Sequence, residues 1–244
     1  MNTGAFSFFH GTSGSAAKSV LTGGVGEPIC FWQARELVRA IWPIILEKAG
    51  SFLQTTTLFQ SAGSAYATSA PAGLQNVYDN YESSTFAYGS FYATLSVEKA
   101  QGYATRSNSG SELLLFVGEA LRVIDTINPD LKERLLDPHP ELGRQLKAPP
   151  HPVILELSNI EASRLTRENG DSIDRGLIAL VESTFGVAKQ LSFRILNISP
   201  SDIVRVYDLT EVAIRPGAQS EPADLRAYRT APADWLSSFT GPGQ

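Results

Sequence analysis

The sequence predicts an α+β fold, and three observations lead to it. Leu191, Phe193 and Ile195 alternate with Ser192 and Arg194, which is the two-residue period of a half-buried strand. Leu37, Ile41, Ile44 and Ile45 recur near helical spacing and so mark a buried helix face. Short strands and helices mix along the chain without the regular βαβ alternation of a doubly wound sheet.

Taken in order, residues 5–10 are aromatic, alternate weakly and predict a strand that ends in a Gly/Ser turn over 11–15. A short helix follows over 16–21 and is stopped by Gly23-Gly24. Residues 29–49 predict one helix broken near Pro43, or two helices. From Ser51 to Tyr88 the chain is rich in Ser, Thr, Ala, Tyr and Gly, which suits helix fragments and a long surface loop. A second strand–turn–helix unit begins at Tyr88, with residues 91–94 extended and Ser96 as N-cap of a helix through Ala104. Residues 111–125 predict an apolar helix, with Ser111 and Glu112 suited to its N-terminus.

The prolines around 137–140 and 149–152 are breakers that frame a connector. Strands are expected over 153–157, 191–198 and 203–207, with further extended chain at 212–214 and a helix over 172–186. A Pro/Gly-rich tail runs over about 216–244, where Trp235, Leu236 and Phe239 are the docking residues. The expectation is one domain over 1–244, with an insert at about 25–88.

The 244 residues, 43% of them hydrophobic, are enough to bury a core without disulfides or a structural metal. The lone Cys30 has no internal partner, and the three histidines make no metal set. A net charge of −5 argues against a protein that holds nucleic acid mainly by bulk charge. The first ten residues have no basic n-region, so no signal peptide is expected. Residues 29–49 carry Arg35, Glu36, Arg39, Glu47 and Lys48, which excludes a spanning helix. These readings point to a cytoplasmic protein with no membrane partner.

The Gly11–Lys18 turn is no P-loop, because Ala17 stands where the glycine before the lysine belongs. A nucleophile elbow at Ser13 fails as well, since Gly14 comes one residue early. What remains is His10-Gly11-Thr12-Ser13 at a strand end. Beside it stands a second aromatic unit in which Tyr92 ends a strand and Tyr103 lies on the following helix. Two tyrosines facing one another would make walls for a flat heteroaromatic ring; the simpler alternative is a pair of core tyrosines.

These residues carry a resemblance. Phe9-His10-Gly11-Thr12-Ser13, the Tyr88-Gly89-x-x-Tyr92-x-Thr94 segment with Lys99-Ala100, and the eleven-residue step from Tyr92 to Tyr103 resemble the His-Tyr-Glu ADP-ribosyltransferases. That family includes diphtheria-like toxins, poly(ADP-ribose) polymerases and bacterial toxin-like relatives. The resemblance implies a split β-sandwich of two antiparallel sheets with flanking helices, and NAD as substrate without a metal. By it, His10 bonds the ribose and the Gly11 main chain meets the carboxamide. Tyr92 and Tyr103 sandwich the nicotinamide, while Thr12 and Ser13 complete the NAD-binding turn.

Two departures qualify the resemblance. The polymerase branch has a serine where this chain has Ala100, and the glutamate expected at the start of a late strand is missing. Gln190 stands first for that third position; Ser192, Asp208 and Glu211 are the alternatives. A glutamine brings no negative charge, which favours single transfer over polymerisation. The expected activity is therefore mono-ADP-ribosylation, a glycosyltransferase reaction, of a protein or nucleic-acid acceptor. The resemblance implies action as a toxin or defence effector, with an antitoxin or immunity protein as partner. The alternatives are an NAD glycohydrolase and a non-catalytic NAD-binding module. The insert is the place expected to meet acceptor or partner.

Overall fold

A computed structural model of the chain describes residues 7–23, 29–81, 91–106, 111–148, 151–167, 171–173, 191–209 and 229–230. In chain order the first elements are β1 (Phe8–Ser13), α1 (Gly14–Gly23), α2 (Ile29–Ala49), α3 (Phe52–Ser61) and α4 (Ser69–Asp79). Next come β2 (Phe91–Thr94), α5 (Val97–Arg106), α6 (Glu112–Ile127), α7 (Pro129–Leu136) and α8 (Pro140–Lys147). The strands β3 (Pro152–Leu157), β4 (Leu165–Arg167), β5 (Ser192–Ile195), β6 (Ile203–Asp208) and β7 (Arg229–Thr230) complete the set, with 3₁₀ turns at Ala162–Arg164 and Pro200–Asp202. The α+β expectation holds.

The chain divides into two compact units, Met1–Gly26 with Gly89–Gly110 and Pro149–Gln244, and Glu27–Tyr88 with Ser111–Ala148. The segment expected as an insert, about 25–88, falls mainly in the second unit, which also takes residues 111–148.

The first unit holds the strands. Those described form one antiparallel sheet in the order β4-β5-β2-β1-β3-β6-β7. Phe8, Phe91, Ala93, Leu155, Phe193 and Ile195 build a core on one face, joined by Ala17 of α1. Phe9, Ile154 and Tyr207 pack with Ala100 and Ala104 of α5 in a second cluster. Arg164 clamps the two 3₁₀ turns together, its guanidinium donating to both carboxylate oxygens of Asp202 at 3.1 and 2.6 Å. That contact raises the arginine and holds the Asp202 carboxyl below its ordinary range.

Several boundaries differ from the sequence reading. The first strand continues to Ser13 where a turn over 11–15 was expected, because β3 pairs with it from Phe8 opposite Leu157 to Ser13 opposite Pro152. The residues that read as turn formers are held extended by that ladder, and the helix starts at once with Gly14. Ser172 bridges to Thr166 and does not open a helix. Residues 174–186 of that expected helix, the 212–214 strand and most of the 216–244 tail lie outside the described residues.

The second unit is helical. Leu37, Ile41 and Ile45 of α2 are fully buried with Trp42, Phe59, Leu74, Leu113 and Ile124. The expected break at Pro43 does not occur, and α2 is one helix of 21 residues. Arg39, whose carbonyl loses its donor at Pro43, lies with Pro43 on the exposed side, where water can serve that oxygen. The proline-framed connector is helical too. Pro129 and Pro140 occupy first turns, where a missing N–H costs nothing, and the Asn128 side chain accepts from the Leu131 amide. Among the described residues no helix is long and apolar enough to cross a membrane.

Candidate functional site

The candidate site lies in the first unit, where β1, β2 and α5 meet. Ser96 accepts from the Lys99 amide at 3.1 Å and so caps α5, as its position after a strand predicts. Thr94 accepts from the Ser96 amide at 3.1 Å and fixes the turn between strand and helix. The helix then runs back across β1 at Gly11. A Cβ there would stand 1.7 Å from the Ala100 carbonyl oxygen and 2.8 Å from the Ala104 nitrogen. Glycine is required at position 11 by this close approach, not by a turn.

His10 joins the two strands. The described residues of β1 and β2 pair in register at Phe9 opposite Thr94. One residue further along β1, Nδ1 of His10 donates to the Tyr92 carbonyl oxygen at 2.5 Å. A side chain thus spans the strands where another backbone rung would serve. The bond places the proton of the neutral ring on Nδ1 and leaves Nε2 as an acceptor. The ring lies 4.0 Å, centroid to centroid, from Phe91 at a tilt of 32°. Loss of hydration in this packing pushes the His10 pKa down to about 4, against the smaller raising effect of the Tyr92 carbonyl. The imidazole is therefore neutral at physiological pH.

The other expected site residues are distributed around this junction. Thr12 and Ser13 are buried in β1, and the Ser13 hydroxyl accepts a long bond of 3.4 Å from the Ala16 amide. Tyr92 is half-buried in β2, opposite Arg194 of β5. Tyr103 is 37% exposed on α5, with the Lys99 ammonium 5.9 Å from its ring centroid. Of the candidates for the third position, Gln190 and Glu211 lie outside the described residues. The Ser192 hydroxyl accepts from the Lys99 ammonium at 2.6 Å. Asp208 ends β6, with its carboxylate 3.4 Å from Nε2 of His151.

Two polar groups escaped the sequence reading. Glu156 sits on central strand β3 and accepts from the hydroxyls of Ser7 at 2.8 Å and Tyr207 at 2.5 Å. Its sequence context, Val153-Ile154-Leu155-Glu156-Leu157, reads only as an apolar strand with one polar residue. Arg194 reads as an ordinary outward residue of an alternating strand. Nothing local indicates that Tyr92 and Thr166 flank it on the neighbouring strands. Among the described residues no group of three or more potential metal ligands assembles.

No protein-family model matches the chain, and neither does any curated protein or solved structure.

Proposed function

We propose that the protein is an NAD-dependent mono-ADP-ribosyltransferase. The observation that carries this reading is the His10–Tyr92 bond, which locks the two motif-bearing strands side by side beneath the helix that bears Tyr103. The two motif-bearing segments are thereby neighbours, held by a side chain of the motif itself. NAD is the substrate, and the chemistry is cleavage of its nicotinamide–ribose bond with transfer of ADP-ribose. On this reading Tyr92 and Tyr103 hold the flat ring, and His10, on the strand that runs directly into α1, orients the ribose. A neutral imidazole suits that task, because it offers hydrogen bonds without repelling positive charge that develops on the sugar. The rate gain then comes from placement and from charge stabilisation.

The finer parts of the reading go with it. The fold is a split β-sandwich, Gln190 is the first candidate for the third position, and the acceptor is a protein or nucleic acid. Action as a cytoplasmic toxin or defence effector, restrained by an antitoxin or immunity partner, follows from the same resemblance.

The test is incubation with NAD labelled in its adenylate portion, in a cell lysate, with wild type, His10→Ala and Tyr92→Ala. Label should enter an acceptor with wild type and fall about 100-fold or more with either variant. Nicotinamide release without labelling would identify a glycohydrolase. NAD binding with neither would leave a non-catalytic binder, and no binding at all would sink the proposal.

A further inference from the structure

We infer that Arg194 anchors a subsite for the diphosphate of the dinucleotide, with Thr166 beside it and Lys99 nearby; this rests on the reading of NAD as substrate. Thr166, Arg194 and Tyr92 form one row across β4, β5 and β2, paired directly opposite one another. Cross-strand partners share a face of the sheet, and the alternating residues Phe91, Ala93, Phe193 and Ile195 pack in the core on the other. Two residues along β5 from Arg194, Ser192 takes the Lys99 ammonium that reaches across from α5. One positive charge thus stands beside Tyr92, and a second lies 5.9 Å from the Tyr103 ring.

The decisive feature is unmet hydrogen-bonding capacity. Nε of Arg194 and Oγ1 of Thr166 are both buried and have no hydrogen-bond partner. Among the described residues no carboxylate forms an ion pair with Arg194. A half-buried guanidinium without a counter-charge is costly, and an adjacent buried hydroxyl without a partner adds to that cost. An oxyanion with several acceptor oxygens meets both needs, since it takes the guanidinium in forked geometry and accepts from the threonine hydroxyl. The residue as a whole is partly exposed, so an incoming group can reach it. With a heteroaromatic ring held at the tyrosines, the next charged part of a dinucleotide is its diphosphate. The row sets the cation directly beside the tyrosine that would hold the ring.

The experiment is calorimetric titration of the full chain with ADP-ribose, NAD and nicotinamide, for wild type, Arg194→Gln, Arg194→Lys and Thr166→Val. Circular dichroism confirms that each variant is folded. Arg194→Gln should weaken ADP-ribose and NAD about tenfold or more and leave nicotinamide, which has no phosphate, unchanged. Arg194→Lys keeps the charge but loses the fork, so it should recover only part of the affinity. Thr166→Val suits a strand sterically and should weaken ADP-ribose several-fold, which keeps the test decisive if Arg194→Gln does not fold.

Wild-type affinity for ADP-ribose in Arg194→Gln or, failing its folding, in Thr166→Val would overturn the subsite, even if NAD is turned over normally. Loss of ADP-ribose binding in the variants, when wild type never cleaves NAD, would support the subsite and overturn the transferase reading. Equal loss of nicotinamide binding would overturn the subsite, by assigning Arg194 a structural part under Tyr92.

Discussion

His10 combines a depressed proton affinity with a bond that fixes its tautomer. Its pKa of about 4 lies below the ordinary 6.5 because burial disfavours the charged ring. Between those values the unfolded chain binds a proton that the native chain does not. The contribution of His10 to stability is therefore fully present above pH 6.5 and is lost as pH drops towards 4, by up to about 3 kcal/mol. Urea denaturation from pH 7.5 to 4 should show this loss in wild type and a smaller one in His10→Ala, where burial still lowers His139. A NMR titration should place the imidazole midpoint near the lower end of that range. A midpoint near 6.5 would mean that the ring is not packed as described. The same depression predicts that NAD chemistry is not lost through His10 protonation between pH 6 and 8.

At the scale of elements, the contact of α5 with β1 organises the candidate site. The helix starts at the Ser96 cap and lies so close over Gly11 that even a methyl group has no room. Gly11→Ala therefore forces helix or strand to move, because the obstruction is backbone and cannot rotate aside. The expected loss is about 3 kcal/mol or more in chemical denaturation, at the upper end for overpacked sites. NAD binding should fall with it, since Tyr103 rides on the displaced helix. An Ala variant as stable as wild type would contradict the described packing. The second unit repeats the device at Gly73, where a Cβ would stand 2.2 Å from the Phe116 ring, so α4 and α6 also meet at a glycine.

For the whole molecule, the consequential feature is that the chain passes between its two units four times. Neither unit is a continuous segment, so cutting the chain at one point isolates neither. The helical unit has a core of its own, in which Phe59 is fully buried among α2, α4 and α6 residues. Phe59→Ala leaves a cavity there and should cost about 3–5 kcal/mol. Hydrogen exchange should report the loss in the helices of residues 29–79 and 112–147. Unchanged protection in those helices would show that the phenylalanine is not the core residue described.

The sequence by itself determined the elements whose signals are local. The apolar spacing of α2, the alternation in β5 and the cap at Ser96 all depend on neighbours a few residues away. Local signals also explain the misreadings. Gly11–Ser13 has turn composition but is held extended by β3, about 140 residues later, and Pro140, which reads as a breaker, begins a helix. Only the tertiary structure decided that β2 lies between β1 and β5, and therefore that Arg194 stands beside Tyr92 with Thr166 beyond it. Strand pairing joins residues remote in sequence through backbone bonds that are chemically alike at every position. The order of strands, and with it the charge around a site, is fixed by how the whole chain buries its apolar faces.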